Sequence, residues 1–169
     1  MHKITTIFIF TLFVTLMGCA SLGSSIRDDY DEFSGSNLRE VRLYIQESEW
    51  DPFPQKLFLR QAISGNNTAY MVCVSLSLHE WIFADTIYFL IDGERTIMES
   101  IDYDHNVSGG LVDEWVVFDS SLDFFYKLAN AENKVKIKLS GSKGTKEYQF
   151  DRRNQKWIVE FLAYLEKHK

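Results

Sequence analysis

The run Asp102-Tyr103-Asp104-His105-Asn106 sets oxygen ligands at alternate positions, and Ser108 and Asp113 continue that register. Such spacing lets a loop wrap a calcium ion. Val107, however, stands where the sharp turn of such a loop needs Gly, Asp113 replaces the bidentate Glu, and strand-like runs flank the segment. A polar β-turn over 104–110 accounts for these residues without an ion. His79, His105 and His168 have no second His or Cys at zinc spacing, and His79-Glu80 lacks the second His of a metalloprotease helix. No metal and no other cofactor is expected.

Nucleophilic chemistry fares no better. The Ser residues fall in turns or alternate along strands, and no Gly-x-Ser-x-Gly elbow occurs. Cys73, within Met71-Val72-Cys73-Val74, reads as a small buried hydrophobe. Glu99, Asp102, Asp113 and Glu114 read as ordinary surface charge. No catalytic residue is assigned, and the balance is against an enzyme.

Two surface features suit binding. Lys134, Lys136 and Lys138 alternate on one strand, followed by Lys143, Lys146, Arg152, Arg153 and Lys156, in a chain of net charge −6. That reversal of sign could meet anionic lipid or a charged envelope polymer, although outward lysines also protect an edge strand. The aromatic clusters Trp50-Asp51-Pro52-Phe53 and Trp81-Ile82-Phe83 fall between strands. Rings placed there either carry recognition or fold back to close the sheet ends. Trp50, Phe53, Trp81, Phe83, Lys136 and Lys138 are therefore the candidate binding residues. The acidic balance excludes nucleic acid as an expected partner.

The elements that must position these residues are mostly strands. Val41, Leu43 and Ile45 alternate with polar neighbours, and Leu57–Ile63 leads through Ser64-Gly65-Asn66-Asn67 into Thr68–Leu78. Asp92-Gly93 between strand-like runs marks a hairpin. Apolar residues on both faces of Ile87–Ile91 and Trp115–Phe118 predict a sheet covered on both sides there. Ser120 or Ser121 caps a short helix near 121–130, and Trp157, Ile158, Phe161, Leu162 and Leu165 recur at helical spacing near 152–167. The fold class is α+β, mainly antiparallel, as either a bent sheet or a β-sandwich.

At the N-terminus Lys3 precedes an apolar run that is too short to span a bilayer and ends at Leu16-Met17-Gly18-Cys19. That ending resembles the lipobox of bacterial lipoproteins, with Met17 where Ser, Ala or Thr is more usual. The resemblance implies removal of 1–18 and acylation of Cys19, a palmitate-type membrane anchor. It also implies the cell envelope: the outer membrane if the cell has one, otherwise the outer face of the cytoplasmic membrane. Residues 19–36 then read as a Ser/Gly-rich acidic tether and 37–169 as one globular domain. The expected function is non-catalytic binding of an envelope protein, or an accessory role. The alternatives are an anionic glycan or small ligand at the basic stripe and, third, hydrolysis.

Overall fold

Period-two alternation runs through most of the chain, and where it runs the backbone is extended. The computed structural model describes residues 26–31, 35–48, 54–150 and 152–168. The signal region, Cys19, Trp50 and Phe53 lie outside them. Among the described residues there are nine strands: β1 Ile26–Asp31, β2 Ser36–Ile45, β3 Gln55–Ser64, β4 Asn67–Leu78, β5 Ala84–Ile91, β6 Glu94–Ser108, β7 Leu111–Ser120, β8 Val135–Gly141 and β9 Gly144–Phe150. Two helices, α1 Leu122–Ala129 and α2 Arg152–Lys167, follow β7 and β9. The α+β, mainly antiparallel reading is correct.

All nine strands belong to one antiparallel sheet in the order β1-β2-β3-β4-β7-β6-β5-β8-β9. The sheet curls until its ends meet, with Gln46 just beyond β2 exchanging both backbone hydrogen bonds with Gln149 of β9, at 3.2 and 3.0 Å. The bent-sheet alternative therefore holds, close to a barrel. Below that bridge α2 lies along the seam. Its Asn154 side chain accepts from the Tyr44 N–H at 3.2 Å and donates to the Tyr44 carbonyl at 2.7 Å, which satisfies a strand edge that no neighbouring strand reaches.

Inward alternation builds the core. Val41, Leu43, Val72, Val74, Leu76, Phe89, Val116, Phe118 and Ile137 are buried against Phe125, Trp157, Phe161 and Leu165 of the helices. Ser121 caps α1, its hydroxyl accepting from the Phe124 N–H at 3.2 Å. The β5–β6 hairpin turns at Asp92 and Gly93 (φ +51° and +87°), as expected for two left-handed residues. The Asp92 carboxylate also accepts from the Glu132 and Asn133 backbone N–H groups, and these bonds, Glu132 first, hold its carboxyl below the usual range.

Several expectations need correction. Residues 26–31 are not tether: β1 pairs with β2 from Ile26↔Val41 to Asp31↔Ser36. Its charges find partners there, Asp28 with Arg39 at 3.4 Å and Arg27 with Glu40 at 3.8 Å. The segment 104–108 is strand, paired with β7, and the turn is Gly109-Gly110. Asp102, Asp104 and Asn106 each accept from the next residue's N–H, so their oxygens serve the backbone. β8 lies between β5 and β9, so its lysines do not protect an edge. Cover on both faces holds for β7, where Val117 packs outward with Phe58 and Cys73, but not for β5, whose Leu90 is 40% exposed.

Candidate functional site

In the sheet, β7 and β6 lie between β4 and β5. The connection 79–83 must therefore cross the ends of two strands without pairing to either, and its N–H groups need other acceptors. Glu114 supplies them. It shares the inward face of β7 with Val112, Val116 and Phe118 and is 1% exposed. One carboxylate oxygen accepts from Ile82 N–H at 2.7 Å and Phe83 N–H at 3.1 Å, and the other from Ala84 N–H at 3.0 Å. Bonds to an ionised acceptor are the stronger kind. The expectation that Glu114 is surface charge is thus wrong, because the connection folds over it.

The β8–β9 hairpin grips the same segment from the other side. The Lys143 N–H donates to the Ile82 carbonyl at 3.2 Å. Gly141 lies so close that a Cβ there would stand 2.1 Å from the Phe83 oxygen and 2.3 Å from the Ile82 oxygen. Phe83 itself sits at φ +51°, a conformation that side chains other than Gly, Asn and Asp adopt reluctantly.

This latch sets a row of rings at the barrel mouth. Trp81 stacks on Phe83 with centroids 5.4 Å apart and planes 17° from parallel. His105 meets Trp81 edge-on at 5.2 Å, and Tyr103 lies 5.5 Å from His105 and 6.4 Å from Phe83. The Lys143 ammonium stands 5.0 Å from the Phe83 centroid. Ile82 between them is buried, while Trp81, Phe83 and Tyr103 are half-buried and His105 is exposed. Burial, and then the Glu114 carboxylate, push the Tyr103 phenol up to about 12.

Beside the rings runs a groove of about 920 Å³, lined by Lys56, Ser77, His79, Trp81, Lys143 and Lys146 among others. Its floor is held by Gln55, whose amide accepts from the Ser77 N–H at 2.6 Å and donates to the Ser77 carbonyl at 3.4 Å. Lys146 pairs with Glu47 at 3.3 Å. The arrangement offers flat π faces, cations and hydroxyl groups on a fixed frame, which suits recognition.

Of the sequence candidates, the fold brings Trp81 and Phe83 together at this mouth. Lys136 and Lys138 lie elsewhere, exposed on the outward face of β8 opposite Gln149 and Glu147. Trp50 and Phe53 fall outside the described residues, although Glu47 and Pro54 on either side of that segment line the groove. Tyr103, His105, Glu114 and Gly141 are not among the candidate binding residues of the sequence, and Lys143 enters there only as a member of the basic stripe. One signal was available: a carboxylate in register with Val112, Val116 and Phe118 sits on an apolar face. Among the described residues no group of three His, Cys, Asp or Glu could hold a metal ion, and no helix is long and apolar enough to cross a membrane. Cys73 is buried, and burial pushes its thiol up to about 11. No protein family, curated protein or solved structure matches this chain.

Proposed function

We propose that this protein is a lipid-anchored component of the bacterial cell envelope that binds a partner protein, without catalysis, through the ring cluster of Trp81, Phe83, Tyr103 and His105. The single observation that supports this reading is the latch of Glu114, Gly141 and Lys143. It holds two stacked rings half-exposed at a barrel mouth and so removes the ordering cost that flexible side chains bear on association. Aromatic side chains of this kind dominate the energy of protein interfaces. Acylation at Cys19, following the lipobox-like Leu16-Met17-Gly18-Cys19, would hold that mouth at a membrane surface.

The test is a photo-crosslinking amino acid placed at His105, on the exposed rim of the cluster, in the producing cell. A matched probe replaces Val159, which is 51% exposed on α2. The expected result is one dominant envelope protein captured from position 105 only, and lost when Trp81→Ala is added to a chain that melts normally. Identical adducts from both positions, or capture unaffected by Trp81→Ala, would refute the reading.

A further inference from the structure

The outward face of β5 and β8 has a composition that the ring cluster does not explain. Leu90 and Ile97 are 40% and 53% exposed. The register sets Leu90 beside Lys136 and Tyr88 between Ile97 and Lys138, so two large aliphatic side chains lie among lysines. The basic track then continues. Val135 pairs with Phe150 at the end of β9, which brings Lys134 to the start of α2, and Lys134 and Arg152 line one shallow cleft there. The first turn of α2 contains no acidic residue. A helix start favours anions, so basic side chains placed there add to the local positive potential. The carboxylates around this face are Glu147, opposite Lys138, Glu99, opposite Thr86, Glu47, which lines a groove with Leu90 and Lys136 and pairs with Lys146, and Glu132, in the cleft with Lys134 and Arg152. With Arg95 opposite Leu90, five cations meet these four carboxylates, a local excess of positive charge in a chain of net charge −6.

We propose that the outward face of β5 and β8, with the start of α2, rests on an anionic phospholipid bilayer, Leu90 and Ile97 entering the headgroup–acyl boundary while Lys136, Lys138 and Arg152 meet lipid phosphates. Charge complementarity selects an anionic surface, and the exposed aliphatic side chains select a bilayer over a hydrated polysaccharide. The length of chain before β1 points the same way. This part of the argument rests on the lipid-anchor reading: with Cys19 acylated, only residues 20–25 separate the anchor from Ile26. Six residues span at most about 20 Å. The sheet is therefore held against the membrane. β8 lies next to β9 and β5 next to β8, on the β9 side of the seam.

The test uses the chain from Ala20 onward, which carries every described element and no acyl group, so its outcome is independent of both Cys19 and Trp81. Vesicles of equal parts phosphatidylglycerol and phosphatidylcholine are compared with phosphatidylcholine alone by co-sedimentation. The expected result is binding to the mixed vesicles only, weakening as salt is added. Lys136→Ser with Lys138→Ser should lower it about thirty-fold. Leu90→Ser with Ile97→Ser should lower it while leaving the salt dependence in place. All four positions are exposed, so the variants should melt as the parent does. Failure to bind mixed vesicles, binding indifferent to both pairs of substitutions, or full displacement by a soluble anionic polysaccharide would overturn the proposal.

Discussion

Removing the Glu114 carboxylate should open the barrel mouth, and the size of the effect follows from its three bonds. In Glu114→Ala the N–H groups of Ile82, Phe83 and Ala84 lose their acceptor. An unpaired buried donor costs about 1–3 kcal/mol. Ile82 and Ala84 are buried, whereas Phe83 is half-buried and water can replace its bond. Two full penalties and the small cavity left behind sum to about 4 kcal/mol. Glu114→Gln keeps one oxygen for Ile82 and Phe83 but turns an NH2 toward the Ala84 N–H, for a cost of about 2 kcal/mol. Urea unfolding followed by far-ultraviolet circular dichroism measures both. Acrylamide quenching of tryptophan fluorescence should rise in the same order as Trp81 loosens. An alanine variant within 1 kcal/mol of the parent, or a glutamine variant as damaged as alanine, would show that the carboxylate does not hold the connection.

Gly141→Ala should destabilise by about 2–3 kcal/mol, the upper part of the range for forced overpacking, because its Cβ would meet backbone oxygen that cannot move aside; thermal melting measures it. Phe83→Gly should leave stability within about 1 kcal/mol of the parent, since relief of the positive φ offsets the lost packing and the added chain entropy, yet it should abolish partner capture. Cys73 should resist iodoacetamide at pH 8 in the folded chain and react once the chain is unfolded. Its thiol is raised from 9.0 to about 11, so its contribution to stability is complete below pH 9 and lost as the pH rises toward 11. Cys73→Ala should therefore flatten the alkaline limb of the pH–stability curve.

The element list was largely legible because this chain marks its strands with clean alternation and its turns with Asp92-Gly93 and Gly65. α2 could be read from helical spacing alone, and its five named apolar residues are all buried. What failed depends on strand neighbours beyond the two hairpins that the turns at Gly65 and Asp92-Gly93 announce. β1 looked like tether because its acidic run has no apolar alternation. Its place comes from pairing with β2 and from ion pairs with Arg39 and Glu40. β8 looked like an edge because its lysines alternate outward, but an outward lysine is equally at home on the solvent face of an inner strand. Below the Gln46–Gln149 bridge the seam is closed by the Asn154 amide on Tyr44, and the end of the β3–β4 pair by the Gln55 amide on Ser77; neither residue carries a local pattern that announces such a role.

The same dependence on topology explains why the ring cluster was half-seen. Trp81 and Phe83 stand out in sequence as aromatic residues between strands, but Tyr103, His105 and Glu114 join them only because the 79–83 connection crosses β6 and β7. Phe83 then becomes the informative residue. A connection that had only to cross would favour Gly at φ +51°, where a β-carbon costs about 1 kcal/mol. Folding recovers little of that through this ring, which remains half-buried and packs mainly on Trp81. Strain kept at a half-buried aromatic side chain, on a segment fixed by a buried carboxylate and a glycine with no room for a methyl group, runs against what stability alone would select. It fits a surface whose energetic return comes on association, when the stacked rings lose their remaining contact with water.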